Sequence, residues 1–173
     1  NTDVGIELLQ SDNCLISNNN ISSNNYDGIY LDYSNNNSIS NNNISSNKRY
    51  GIRLWYSNNN IIYLNNFIKN TCNTDSYCSK NIWNSTEKIK YTYRGLKFEN
   101  YMGNYWDDYK GSDANGDGIG DIPYSIDSDK DNYPLMQPFE DYFVPELTVS
   151  ISTDKYEYRA GDLMLINITF ENP

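Results

Sequence analysis

The sequence contains no histidine, and that absence removes more chemistry than any single residue adds. Without imidazole there is no Ser-His or Cys-His nucleophile pair, and catalytic zinc and copper lose their commonest nitrogen ligand. Lysine and arginine are scarce as well, 13 against 23 acids, for a net charge of −10. Nucleic acids and anionic lipid surfaces require clustered cations, so neither is an expected partner, whereas divalent cations suit the acidic balance. No apolar run is long enough to cross a bilayer, so no membrane insertion is expected in this segment. Cysteine is limited to Cys14, Cys72 and Cys78. Cys72 and Cys78 share a stretch that looks irregular, Thr71 to Ser79, where they either close a short disulfide loop or stay two thiols. There is no initiator Met or signal peptide, and the chain opens at Asn1 and closes at Pro173 in mid-pattern, which reads as two cuts from a longer protein.

Apolar residues make up only 38% of the chain, yet 17 residues are tyrosine. A disordered chain would be poor in aromatics, so a regular, hydrogen-bonded scaffold is the better reading. A repeat supplies it. Gly5-Ile6, Gly28-Ile29 and Gly51-Ile52 recur every 23 residues. Aligned on them, the apolar columns are Ile6/Ile29/Ile52, Leu8/Leu31/Leu54, Ile16/Ile39/Ile62 and Ile21/Ile44/Phe67. The polar columns are Ser11/Ser34/Ser57, Asn13/Asn36/Asn59, Asn19/Asn42/Asn65, Asn20/Asn43/Asn66 and Asn24/Asn47/Asn70.

Short apolar alternations read as strands, and the Asn, Ser and Gly clusters between them as turns. Such strands are too short to pair with their sequence neighbours. Coiled turn upon turn, equivalent residues come about 4.8 Å apart, so Ile stacks on Ile and Asn amides bond in ladders. Asn also tolerates the left-handed backbone of sharp corners. The expected fold is all-β: a right-handed parallel β-helix, a solenoid of 23-residue turns. A leucine-rich repeat would need leucines where Asn and Ser stand, and Asn-rich disorder would not hold four apolar columns in register.

Residues 1–97 are assigned to the helix turns, with Asn81-Ile82-Trp83-Asn84 as a degenerate fourth turn and Tyr91 to Phe98 as a hairpin-like stretch. Residues 98–143 read as a C-terminal cap. Its acidic stretch places Asp113, Asn115, Asp117 and Asp121 at positions 1, 3, 5 and 9 of a calcium loop, with Gly116 at position 6 and the Ile119 carbonyl as a further ligand. Position 12 is Tyr124, so the usual closing acid is missing, and Asp127, Asp129 or Asp131 could substitute from nearby. The competing reading is a solvated Asp/Gly turn. Residues 144–173 read as a linker and the first strands of a truncated β-sandwich, Leu147–Ile151 and Met164–Phe170, around a turn at Ala160-Gly161-Asp162.

The Gly-Ile-x-Leu…Ser-x-Asn…Ile-Ser-Asn-Asn-Asn-Ile repeat resembles the β-helix repeats of the NosD-like family. The string Asn84-Ser85-Thr86 to Tyr93, Gly103-Asn104-Tyr105-Trp106, Asp113 to Asp121, Pro123-Tyr124 and Asp131 to Met136 is similar to that family's C-terminal signature. The trailing strands resemble the Ig-like domains of large archaeal surface proteins. The resemblance implies a right-handed β-helix, export to an extracellular or cell-surface location, and a class of carbohydrate-binding and sugar-hydrolase repeats. It also implies a copper-maturation role, which this sequence supports poorly. It has no histidine, and Met102, Met136 and Met164 fall outside the repeats, so no copper is expected.

Two functions fit. One is a structural or carbohydrate-binding module of the cell envelope. Its candidate surface is the outward side of the first sheet: Glu7, Tyr30, Arg53, Leu9, Asp32 and Trp55, with Tyr30, Asp32, Arg53 and Trp55 as glycan contacts. The other is a polysaccharide hydrolase or lyase, with Glu7 and Asp32 as a carboxylate pair beside Arg53.

Overall fold

The computed structural model describes residues 3–143, 148–155, 157, 159 and 165–171. Two compact units divide the chain, Asn1–Tyr142 and Phe143–Pro173.

Each repeat lays down three short strands. The first turn holds β1 (Ile6–Leu9), β2 (Leu15–Ser17) and β3 (Asn20–Ser22); the second holds β4 (Ile29–Asp32), β5 (Ser38–Ser40) and β6 (Asn43–Ser45); the third holds β7 (Tyr50–Trp55), β8 (Ile61–Tyr63) and β9 (Asn66–Ile68). Each strand of the first two turns pairs in parallel with its equivalent 23 residues on, Ile6 with Ile29, Ile16 with Ile39, Ile21 with Ile44. The product is the expected parallel β-helix. Ile29, Leu31, Ile39, Ile44, Ile52, Leu54, Ile62 and Phe67 are fully buried between the three sheets. Ile6 and Leu8 are only half-buried, because β1 is an edge strand.

Corners and ladders use different residues, not one residue for both. Four positions per turn adopt positive φ, at Gln10/Tyr33/Tyr56, Asn13/Asn36/Asn59, Asn18/Asn41/Leu64 and Ser23/Ser46/Lys69. Each of these turns the chain, and the residue that follows points inward and bonds to its counterpart in the next turn. Asn42 is typical: its N–H and Nδ2 donate to Asn65 Oδ1 at 3.1 and 2.9 Å, and its own Oδ1 accepts the same pair from Asn19. Asn24/Asn47/Asn70 and Ser11/Ser34/Ser57 repeat the device. A further ladder, Asn37/Asn60/Asn81, was hidden in the sequence because Cys14 opens its column. Asn43 and Asn66, expected as rungs, are not joined through their amides: Asn43 Oδ1 is buried without a partner, and Asn66 donates to Glu140 and accepts from the Phe139 N–H. Glycine recurs because a Cβ at Gly28 would stand 2.6 Å from the Gly51 carbonyl and 2.7 Å from Asn47 Nδ2.

The repeat continues through the stretch that looked irregular. β10 (Cys72–Tyr77) pairs with β7, Thr74 opposite Ile52 and Ser76 opposite Leu54. Spacing drops from 23 to 22 there, and two polar side chains take core positions, which disguised the turn. Cys72 and Cys78 therefore bracket an extended strand about 20 Å long, far beyond the reach of a disulfide, and both are free thiols. Ile82 bridges to Ile61, and Trp83 closes over the core. The chain then departs into the expected hairpin, β11 (Ile89–Tyr93) with β12 (Leu96–Asn100). It returns at Gly103 to finish the fourth turn with β13 (Tyr105–Trp106) on β9, so the solenoid extends beyond residue 97.

A second hairpin, β14 (Tyr124–Ile126) with β15 (Asp129–Asp131), closes the end of the helix. Tyr124 stacks on Trp106 and Trp106 on Phe67, each at 4.3 Å between ring centres. Asp127, Asp129 and Asp131 accept the backbone N–H groups of Ser76, Asn81 and Asn104, each at 2.7 Å. Those donors would otherwise face outward from the last turn without a partner. The three aspartates, considered above as closing acids for calcium, serve here as the final rungs. A short 3₁₀ helix, Phe139–Tyr142, packs with Leu64, Tyr91, Tyr93, Met102, Ile119 and Leu135 in a second apolar cluster.

In the other unit, β16 (Thr148–Thr153) pairs antiparallel with β17 (Ile166–Glu171). The turn expected at Ala160-Gly161-Asp162 lies outside the described residues.

Candidate functional site

The sheet β1-β4-β7-β10 carries the densest chemistry on its outer face. Alternation along each strand sends Ile29 and Leu31 inward, so Tyr30 and Asp32 point out. Stacking then builds two outward columns. One is Glu7, Tyr30, Arg53 and Asp75; the other is Leu9, Asp32, Trp55 and Tyr77. All six residues named from the sequence therefore stand together. Asp75 and Tyr77 were missed because the first strand of the fourth turn, β10, was not recognised. Tyr33 and Tyr56 were missed because they sit on a left-handed corner, just past the strand.

Arg53 organises the centre. Its Nε donates to Asp75 Oδ2 at 2.9 Å. Its guanidinium lies over the rings of Trp55 and Tyr30, 5.1 and 5.3 Å from their centres, and 6.0 Å from that of Tyr50. This cation is thus already matched by a carboxylate and by ring faces. Burial raises the Tyr30 hydroxyl above its ordinary range, and the negative charge of Asp32 adds to that. At the edge of the face, Asp27 is buried, and burial raises its carboxyl against the pull of the Tyr50 N–H bond and of Arg49 and Arg53. Asp32 is half-buried, and its Oδ1 is shut off from solvent without a hydrogen-bond partner. Glu7 and Asp32 lie on adjacent strands two residues out of register, about 8 Å apart at Cα.

The aromatic residues form stacks along the helix axis. Tyr33 lies parallel to Tyr56 at 5.1 Å, and Trp55 near-parallel to Tyr77 at 4.3 Å. Stacked rings cover one another's faces. Each stack ends on an exposed ring, Tyr33 at 52% and Tyr77 at 47%.

Residues 1–111 match the family model described as periplasmic copper-binding protein (NosD). The chain belongs to the NosD family. No curated protein matches it. The family match spans the β-helix and ends just before the acidic loop at Asp113. Copper in a NosD-family chain would need soft or imidazole donors gathered at one point. Here Cys72 and Cys78 flank a strand and Met102 is buried in the cap cluster. Among the described residues, no three His, Cys, Asp or Glu groups converge as a metal-holding set, so the donors present do not fit copper.

The acidic loop is held by its own backbone. Asp113 accepts the N–H groups of Gly116, Asp117 and Gly118. Asn115 accepts from Asp117, Asp117 from Ile119, and Asp121 from Ala114. The carbonyls of Asp117 and Gly118 are taken by the hydroxyls of Tyr91 and Tyr142.

Proposed function

We propose that this chain is an exported structural module of the cell envelope whose outer aromatic face binds carbohydrate. The observation that carries the reading is the two ring stacks, Trp55–Tyr77 on the sheet beside a neutralised Arg53 and Tyr33–Tyr56 on the adjoining corner. Aromatic faces and polar groups held by a rigid scaffold are what sugar recognition uses, and a β-helix supplies the rigidity without loop ordering. Export is supported by the periplasmic description of the family.

A spectroscopic probe is built in. Trp83 and Trp106 are buried, whereas Trp55 is half-exposed on the candidate face. Glycan binding is expected to shift tryptophan emission and to shield it from acrylamide, and Trp55→Phe to abolish both changes. Emission unaltered across a panel of neutral and acidic oligosaccharides speaks against the reading. The hydrolase alternative keeps Glu7 and Asp32 as its acids and requires reducing ends to appear in the same mixtures.

For the acidic loop, we infer an accessory calcium ion on Asp113, Asn115, Asp117, Asp121 and the Ile119 carbonyl, which would have to draw together acids that the structure does not gather as a metal-holding set. Alternating oxygen donors with Gly116 and Gly118 at positive φ support it. The N–H groups that already hold Asp113 favour a loop that stands without the ion.

A further inference from the structure

We propose that the ligand of the outer face is an uncharged oligosaccharide, lying along the helix axis and seated at its two ends on Tyr33 and Tyr77. This rests on the carbohydrate reading above and deepens it.

The direction follows from the stacks. Within each stack one face of each ring is covered by its partner; Tyr56 is also met at steep angles by Trp55 and Tyr77, and Trp55 by the Arg53 guanidinium, so a sugar gains little by approaching Tyr56 or Trp55 face-on. What remains are the terminal rings. Tyr33 belongs to the second turn and ends its stack on the side of Gln10; Tyr77 belongs to the fourth turn, on the last strand of the sheet. Two turns separate them, about 9–10 Å. One sugar ring cannot lie on both, but an oligosaccharide running across the strands can. A chain running parallel to the strands would meet only one of the two.

The charge class follows from the columns. Between the two terminal rings stand Asp32, Trp55, Arg53 and Asp75, with Glu7 beyond. Three carboxylates face one guanidinium, and that guanidinium is engaged by Asp75 and three rings. A uronate would bring a further negative charge to a face whose central cation is already engaged, with Arg49 at the edge lying over Tyr50 and beside Asp27. An uncharged sugar avoids that repulsion.

The test is a titration by tryptophan emission and calorimetry with neutral oligosaccharides of one to five units, acidic ones of the same lengths, and amino-sugar oligomers. Affinity for neutral oligomers is expected to rise at least tenfold between one unit and the length that reaches both rings, then to level off. Tyr33→Ala and Tyr77→Ala should each erase that rise while leaving monosaccharide binding weak and unchanged. Uronate oligomers bound as tightly as neutral ones overturn the charge class, as does amino-sugar binding that exceeds neutral binding and vanishes with salt. Length-independent affinity overturns the axial placement. If no glycan of any class binds, the carbohydrate reading itself fails, a result distinct from these.

Discussion

Asp131 takes the place of one more turn beneath Asn104. Its Oδ2 accepts the Asn104 N–H at 2.7 Å and the Asn104 Nδ2 at 3.3 Å. Asn104 Oδ1 accepts the same two groups from Asn65, at 3.1 and 3.0 Å. A carboxylate thus ends a ladder of amides by making the bonds that the next amide would make. Trp106 Nε1 also donates to it at 3.0 Å, and the Tyr133 N–H donates to Oδ1 at 2.9 Å. Gly103 leaves room for this, since a Cβ there would fall 1.9 Å from Asp131 Oδ1.

Asp131→Ala strands three buried donors and is expected to lower unfolding free energy by on the order of 3 kcal/mol or more. Asp131→Asn keeps one acceptor toward Asn104 and Trp106 and should cost less. Gly103→Ala should damage the same contact from the other side. Urea denaturation followed by tryptophan emission measures all three. Asp131→Ala within about 1 kcal/mol of wild type would remove the cap role.

Asp131 also sets a pH dependence. Burial pushes its carboxyl up to about 6, outweighing the N–H bonds that pull it down. The folded state therefore holds a proton that the unfolded chain, with a carboxyl near the ordinary value of about 3.9, has released between roughly pH 4 and 6. Its contribution is full below pH 4 and is lost as pH rises through 6. Burial shifts Asp27 in the same direction. The stability of wild type relative to Asp131→Asn should fall by on the order of 2 kcal/mol from pH 4 to pH 7. A flat difference over that range would show that the group does not titrate there.

The repeat interior is expected to depend on its polar ladders as much as on its apolar stacks. Ile39→Ala should cost about 2–5 kcal/mol. Asn42→Ala removes donations to the Ile16 and Ser40 carbonyls and to Asn65, and leaves buried acceptors behind. Its cost should match or exceed that of Ile39→Ala in parallel melts. An Asn42→Ala chain as stable as wild type would reduce the ladders to passengers.

Three regular turns were legible because identical residues recur at a fixed period, so Ile39 and Asn42 announce their places. The fourth turn was legible only at Asn81 to Asn84; its first strand was not, because Thr74 and Ser76 stand where Ile and Leu stood and the spacing slips by one residue. The Asn37/Asn60 ladder was lost to a single substitution, Cys14. The cap was legible as a cap, but the part Asp127, Asp129 and Asp131 play in it was not, because aspartates look alike in sequence whether they face an ion or three N–H groups. The outward strip was legible from alternation. The mutual stacking of Tyr33 with Tyr56 was not, since ring planes depend on how one turn sits on the next.

The same oversight bears on the thiols. With Cys72 opening β10 and Cys78 just past its end, all three cysteines should react with iodoacetamide in denaturant without any reductant. Intact mass should show three adducts. A species with one adduct, rising to three after reduction, would mean a bridge and a different fourth turn.

The calcium reading of the acidic loop makes the last prediction. Asp113, Asp117 and Asp121 lie within nine residues, and their mutual repulsion is offset at present by backbone N–H groups. A cation among them would add to those contacts, not replace a missing fold element, so chelator should not unfold the protein. Without an acid at position 12, and with Asp127, Asp129 and Asp131 committed to the cap, affinity should be modest, on the order of 10⁻⁴–10⁻³ M. At a hundredfold excess over the dissociation constant the folded form gains about 2.7 kcal/mol, which thermal melting resolves readily. Asp117→Ala should abolish the calcium-dependent rise, and magnesium at the same concentration should produce little of it, since it demands a stricter octahedron. The second apolar cluster should report the effect, because Tyr91 and Tyr142 grip the carbonyls of Asp117 and Gly118. A tightened loop should therefore slow amide exchange around Tyr142 as well as within the loop. A midpoint unmoved by calcium, or moved equally in Asp117→Ala, leaves these aspartates as backbone-holding turn residues and nothing more.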